Sequence, residues 1–429
     1  MVNILVCADG FFRTFSPISL EPYIESFINT LVRNGNNVMP YIKTDFNSRF
    51  SLKRKYFESK ISKEIKEFNP DLIFAFNNAI DSFILKLVDC PINIIASDTP
   101  VYWKYNNTIK NNPSRYSVFY FNDDMSGTLT NEYKIPLSRQ IKIPYSTDMH
   151  AFEVTNTPMN ISFIGNFYNP SSILSTYTIN SIKKLSKQNK IKLQQCICEL
   201  IDELRVTRHK SNKILSLYKK IITLTNTDIG YDKFLAQTFI ALTQENRQLL
   251  LKAICDFDLH IFTWDANLQC IENNYELFKC CHFESCANTK ENELVYNSSK
   301  ISLSLPHAQV DTGFSWRVCD ILASNSLLLS NKSDDLTQFF GGIVPTYSTP
   351  EDLRDKCNYF IKHKKEREAI VKQCNKMINK NHRFENIFKI IGDYTNYSLL
   401  NTSKKGQLKN LSITEKKQMK YIRNLKNNG

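Results

Sequence analysis

The sequence predicts an α/β protein of two facing Rossmann-like domains, with a helical insertion in the second. Three observations predict it. Strand-like and helix-like segments alternate over roughly 1–150. They alternate again over about 158–380. Between about 172 and 253 that second series is interrupted by a long, polar, helical stretch without a convincing strand. Repeated strand–helix alternation implies a parallel sheet with helices on both faces.

In chain order, Ile4-Leu5-Val6 opens the first strand, which ends at Asp9-Gly10. A helix follows with Pro22 in its first turn, where a missing N–H is tolerated. Ile24, Phe27, Ile28, Leu31 and Val32 form its apolar stripe, and Gly35 stops it. Val38 to Ile42 is the next strand. Pro40 inside it predicts a sheet edge or a short strand, because proline cannot donate to a ladder. Lys53 to Phe68 is a charged helix. Leu72 to Phe76, Ile92 to Ala96 and Ser117 to Phe121 are apolar runs of strand length. Unbroken runs of this kind suit parallel strands covered on both faces.

The joint falls near Ile143 to Pro158. Ile161 to Ile164 then forms a strand that runs into Gly165-Asn166, and Leu259 to Phe262 is the next strand of that domain. In the stretch between them, Phe234, Leu235, Phe239, Ile240, Leu249, Leu250 and Leu251 recur at helical spacing. Such a stripe fits simple packing, a cover over the acceptor side or a dimer contact. Further on, Gly341-Gly342-Ile343-Val344 reads as a turn and short strand. Thr349 caps a helix with Pro350 at its first position and acids in its first turn. Lys364 to Lys380 closes the second domain. A C-terminal helix and basic tail occupy 381–429, and from about 398 the Lys-, Asn- and Ser-rich composition predicts a solvated, partly helical or disordered tail.

The most informative stretch is Tyr296 to Asn331. Ile301, Leu303 and Leu305 alternate as a strand. A polar loop runs from Pro306 to Ser315. Val318, Ile321 and Leu322 give one apolar helical face, and Leu327 to Leu329 form the next strand. Such a unit brings a helix N-terminus to the carboxyl edge of a parallel sheet, where free N–H groups bind phosphate.

This stretch resembles the nucleotide-sugar site of glycosyltransferases of the GT-B fold, with their group 1 type C-terminal domain. The family pattern is Glu-Gly-Phe-Gly, a second acid after a short gap, then a small residue and a glycine before a strand. Here Thr312-Gly313-Phe314-Ser315 stands at the first part, Asp320 at the second acid and Ala323-Ser324-Asn325 at the turn. The flanking NSSKISLSLP and RVCDILASNSLLLS are similar to the CgeB-like branch found in bacteria. Several positions depart from the pattern. Thr312 replaces the acid that contacts the donor sugar in relatives, which leaves the sugar and the stereochemical outcome open. Asn325 replaces a glycine, and asparagine best tolerates a left-handed turn.

The resemblance and the placement of the residues together suggest roles. Arg317 neutralises the leaving diphosphate with its planar fork, and Asp320, three residues on, accepts the ribose hydroxyls. Gly313 lets backbone approach the phosphates. Ser315 caps the helix and offers a hydroxyl. His307 touches phosphate or moves a proton, and Thr312 lies by the donor sugar. Gly165 and Asn166 border the donor cleft. In the first domain Asp98 or Asp9 is the acceptor base if the reaction inverts configuration, Asp98 following the better strand. Asn77 and Asn78 hold acceptor hydroxyls. No metal cofactor is expected. The donor is a nucleotide sugar, and the acceptor a cell-surface glycan, lipid-linked saccharide or protein.

The formal net charge of +13 suits anionic partners: a nucleotide diphosphate, a phosphorylated acceptor or an anionic membrane. No nucleic-acid-binding motif accompanies it. Met1 leads straight into a strand with no basic leader, and no apolar run is long enough to span a bilayer. The expectation is therefore a cytoplasmic protein, or one peripheral at the inner face of the membrane. Twelve cysteines then mean reduced thiols. Cys280, Cys281, His282 and Cys286 lack the paired spacing of a zinc site and read as buried thiols. Besides a transferase, the sequence fits a non-catalytic nucleotide- or glycan-binding protein of the same fold, a reading that Thr312 favours.

Overall fold

The structure, a computed structural model, describes residues 1–9, 11–13, 16–43, 51–103, 106–154, 158–168, 186–192, 195, 199, 210–225, 230–263, 268–282, 286, 288–310, 312–409 and 411. The chain divides into two compact units. One comprises Met1–Met149, Ala287–Glu291 and Ile378–Gly429, the other His150–Cys286 and Asn292–Met377.

The first unit is built on β1 (Asn3–Asp9), followed by a small antiparallel hairpin, β2 (Phe11–Arg13) and β3 (Ser16–Ser19). Then come α1 (Pro22–Arg33), β4 (Asn37–Lys43), α2 (Ser51–Phe68), β5 (Leu72–Phe76), β6 (Ile92–Ala96), β7 (Tyr116–Tyr120) and β8 (Gln140–Lys142). The six-stranded sheet has the order β4-β1-β5-β6-β7-β8, every pairing parallel. β5, β6 and β7 are buried at every residue, as their unbroken apolar runs require. β4 stands at the edge, where Pro40 is tolerated. The chain steps outward from β1 to β4 and returns to β5 on the other side. The reversal opens a switch point between the carboxyl ends of β1 and β5.

The second unit repeats the plan. β9 (Met159–Ile164) precedes two helices, α3 (Lys210–Thr225) and α4 (Tyr231–Lys252). β10 (Leu259–Phe262), β11 (Cys281–His282), β12 (Ser299–Ser304), α5 (Arg317–Leu322), β13 (Leu327–Asn331), β14 (Thr346–Tyr347) and α6 (Pro350–Lys362) follow. The sheet order is β11-β10-β9-β12-β13-β14, again parallel throughout. Its switch point lies between β9 and β12. α3 and α4 lie in the helical insertion, of which 169–185, 193–194, 196–198, 200–209 and 226–229 lie outside the described residues. The strand expected at Ile343-Val344 begins later, at Thr346. Thr349 caps α6 as expected, its side chain accepting the Asp352 N–H at 3.1 Å.

Part of the expected basic tail is a structured part of the first unit. α7 (Phe384–Thr395) sets Phe384 and Phe388 against Phe27, ring centroids 5.8 and 5.0 Å apart. Beyond it, Asn36 Nδ2 donates to the Leu399 carbonyl at 2.8 Å and Asn401 N to the Asn34 carbonyl at 3.0 Å. Val38 N then donates to Gln407 O, and Lys409 N to Val38 O, both at 2.8 Å. Residues 407–409 thereby pair with the open edge of β4 at Val38. Gly35 lets the chain come this close: its φ is +81°, and a Cβ there would lie 2.2 Å from the Asn401 carbonyl. Composition hides this pairing because it runs through backbone. The rest of the tail, 412–429, lies outside the described residues.

Candidate functional site

In an open parallel sheet, ligands bind outside the carboxyl ends of the strands at the switch point. In the second unit that place lies between the segment after β9, Gly165 to Tyr168, and the loop after β12, from Leu305. Arg247, on α4, spans it. Its Nη2 and Nε donate to the Leu305 carbonyl at 2.9 and 3.3 Å, and its Nη1 donates to the Asn166 carbonyl. Arg247 is 5% exposed, and its guanidinium lies over the faces of Phe163 and Tyr168, 5.7 and 5.5 Å from their centroids. Burial pulls its pKa down, Tyr168 partly offsets this, and the nearby Arg317 charge lowers it further. Arg247 therefore sits within electrostatic reach of a second cation.

Two neighbours on α4 act in the same way. Thr243 Oγ1 accepts the Ala308 N–H at 2.9 Å. Gln244 Oε1 accepts the Tyr168 N–H at 2.6 Å, and its Nε2 donates to the Cys270 carbonyl at 3.4 Å. Both side chains are buried. A buried polar face of α4 thus ties down the loops that follow β9, β10 and β12. The apolar stripe, from which the helix is legible in sequence, is only half of its role. Three buried polar residues at i, i+1 and i+4 were the available signal for the other half.

The loop after β12 departs from expectation at its far end. The first-turn N–H groups of α5 are already engaged. Arg317 N meets Ser315 Oγ at 3.4 Å, Val318 N donates to the Ser315 carbonyl at 2.9 Å, and Cys319 N to the Trp316 carbonyl at 3.1 Å. The tight turn that starts this six-residue helix closes the donors expected to meet phosphate. Charge at this edge comes instead from side chains. Arg317 Nη1 lies 3.3 Å from Ser315 Oγ and its guanidinium 5.5 Å from the Trp316 ring. Asp320 is only 4% exposed. It shares its surroundings with the Tyr296 phenol, whose pKa is raised by burial, lowered in part by Arg317 and raised again by Asp320.

The remaining candidates on this unit are placed as follows. Gly165 is buried, and a Cβ there would lie 2.5 Å from Phe163 Cζ, so its smallness serves packing. Asn166 acts through its carbonyl, on Arg247. His307 Nδ1 accepts the Gln309 N–H at 3.3 Å and its ring meets Tyr168 edge-on at 5.6 Å, which holds the loop. The Thr312 carbonyl accepts the Asp335 N–H at 3.0 Å, and Gly313 is buried. Two buried hydroxyls at the carboxyl ends, Ser304 Oγ on β12 and Thr263 Oγ1 just after β10, have no hydrogen-bond partner among the described residues. Neither Arg247 nor Arg317 forms an ion pair with a carboxylate among the described residues.

In the first unit, Asp9 ends β1, and Gly10 lies outside the described residues. Asn77 and Asp98 follow β5 and β6 and meet directly: Asn77 Nδ2 donates to Asp98 Oδ2 at 2.7 Å. Asn77 therefore gives one amide N–H to the protein's own carboxylate.

Among the described residues, no group of three His, Cys, Asp or Glu side chains is arranged to hold a metal ion. His282 stacks on Phe262 at 4.2 Å and pairs with His260 Nδ1 at 2.8 Å, and burial pushes the Cys281 thiol up to about 12. No helix among the described residues is long and apolar enough to cross a membrane.

Residues 247–391, from Arg247 through α5 and α6 into α7, match the family model described as glycosyl transferase-like. That segment is a glycosyltransferase domain. The structure is similar to sucrose-phosphate synthase of Thermosynechococcus elongatus, with a TM-score of 0.53 at 8% identity over 91% of this chain and 97% of that one. This likeness and the two parallel sheets give the GT-B fold. Two other similar structures are a T4 phage BGT mutant in complex with UDP-glucose and Anabaena HepE in complex with UDP and glucose. Their TM-scores are 0.49 and 0.48, at 11% and 9% identity, each over 92% of this chain and 97% and 99% of theirs. No curated protein matches the sequence.

Proposed function

We propose that this protein transfers a sugar from a nucleotide-sugar donor to a hydroxyl of a cell-surface glycan, lipid-linked saccharide or protein, as a member of the CgeB-like branch. The observation that carries this is the charge at the second switch point. Arg247 and Arg317 lie within electrostatic reach of each other, with no carboxylate paired to either among the described residues. Two like charges beside a strand edge are relieved by an anion such as a diphosphate, and Ser304 and Thr263 have hydroxyls to offer. In this reading Arg317 meets the diphosphate, Arg247 holds the strand ends beneath it, and Asp320 takes the ribose. Neutralisation by guanidinium groups makes a metal ion unnecessary.

Asp98 is the acceptor base. The acceptor oxygen forms a bond to the anomeric carbon while the bond from that carbon to the diphosphate breaks. The electron pair leaves with the diphosphate, and the acceptor proton goes to the Asp98 carboxylate, so the anomeric centre inverts. Negative charge growing on the leaving group is met by Arg317. The surplus of positive charge suits work beside an anionic membrane. A second reading keeps the nucleotide site without turnover, and Thr312 in place of an acid favours it.

The test is a panel of UDP-, GDP-, ADP- and dTDP-sugars, each with and without saccharide acceptors, read as nucleoside diphosphate released with EDTA present. Release that rises with acceptor supports transfer. Binding without release supports the second reading, and neither binding nor release contradicts both.

A further inference from the structure

We infer that Asn77 is the positioning residue that holds Asp98 as an oriented, ionised base, an inference that rests on the Asp98 role proposed above. Asn77 and Asn78 have φ of +48° and +57°, two successive non-glycine residues in the left-handed region. Strained backbone of this kind persists only where surrounding structure demands it, and it clusters at functional sites. Here the turn brings the Asn77 amide across to the neighbouring strand end. Its Oδ1 accepts two successive N–H groups, from Ser97 at 3.0 Å and Asp98 at 2.9 Å. Only the amide oxygen can accept, so the orientation of the group is settled, and Nδ2 must face the Asp98 carboxylate. Asn77 N is itself anchored to the Ile95 carbonyl at 3.1 Å. On the other side, Trp103 Nε1 donates to the Asp98 carbonyl at 2.9 Å.

Asp98 is therefore gripped at its N–H, its carbonyl and one carboxylate oxygen. The arrangement is more than a turn former requires. A turn needs the two backbone bonds; the third bond adds direction to a carboxylate and favours its charged form. A base must be ionised and within reach of the proton it takes. Among the described acids near this carboxyl edge, Asp9 ends β1 and Asp81 accepts the Tyr41 hydroxyl. Neither receives the Asn77 amide.

The experiment compares the full chain with Asp98→Asn, Asn77→Ala and Asn77→Asp. It uses whichever nucleotide sugar turns over in the panel, with water or saccharide as acceptor. The readouts are kcat and KM across pH, with thermal unfolding of each variant. Asp98→Asn is expected to lose at least about a hundredfold in kcat, the range for general-base catalysis. Asn77→Ala should lower kcat about tenfold, leave the donor KM unchanged and move the acid limb of the profile up by about one pH unit. Asn77→Asp keeps acceptors for the Ser97 and Asp98 N–H groups but sets a like charge against Asp98, so it should move the limb at least as far. A purely structural Asn77 would spare Asn77→Asp and leave the limb in place. If Asp98→Asn is inactive while neither Asn77 variant moves the limb, the Asn77 inference is overturned and the base assignment stands. If Asp98→Asn keeps wild-type turnover, the base assignment itself fails, and the Asn77 inference with it.

Discussion

Replacing Arg247 by Met removes a buried charge while keeping much of its length. Two carbonyls, Leu305 and Asn166, lose the side-chain donor shown for them. Leaving a buried acceptor unmade costs about 1–3 kcal/mol each, so the gross loss is about 2–6 kcal/mol. The contacts over Phe163 and Tyr168 add about 0.5–1 kcal/mol each. Against this, a guanidinium whose pKa is lowered by burial no longer has to be desolvated, which offsets several kcal/mol. The expected net loss is about 2–4 kcal/mol in the second unit, a fall of roughly 5–10 °C in its Tm. Hydrogen exchange followed by mass spectrometry separates the units. Peptides from β9 and β12 should lose protection while those from β5, β6 and β7 keep theirs. Arg247→Lys should fall between, since one ammonium cannot span both carbonyls as the fork does. A Met variant as stable as wild type, or one that loses protection equally in both units, would refute the role assigned to Arg247.

Gly165→Ala should cost about 1–3 kcal/mol, because its Cβ meets a Phe163 ring already enclosed in the core; an unchanged Tm in calorimetry would show that the ring can yield. Ending the chain at residue 397 removes the partners of Asn36 and Val38 and should expose the β4 edge, seen as a lowered Tm and greater self-association in light scattering. For pH, burial lowers the His382 pKa and the bond to the Tyr145 carbonyl raises it in part. The unfolded chain then binds the proton more readily than the folded one. Stability should be flat above about pH 6.5 and fall as pH drops from there toward the folded value, a slope that His382→Gln should flatten in urea titrations.

Much of the fold is legible in sequence because its signals are local. The apolar runs of β5, β6 and β7 are buried throughout, Pro40 marks an edge, and Thr349 with Pro350 marks the start of α6. The loop and helix after β12 are legible for the same reason. What escaped depends on partners distant in the chain. Arg247 meets Leu305 across 58 residues, and Asn77 meets Asp98 across 21. Neither leaves a periodic trace, and an asparagine after a strand reads equally as a turn former. The closure of the α5 donors depends on turn geometry that no residue type dictates. The tail at 398–409 carries the composition of a solvated segment and still packs, because its bonds are made by backbone.

In the function proposed above, the carboxyl edge of the second sheet, at Arg317 and Asp320, holds the nucleoside diphosphate of the donor. Isothermal titration of the full chain with nucleoside diphosphates, beside Asp320→Ala of unchanged Tm, tests it most directly. The expected result is binding that Asp320→Ala weakens by roughly 1.5–3 kcal/mol, the range for a hydrogen bond to a charged group. Equal affinity in the variant and the wild type would contradict it and put the nucleotide elsewhere.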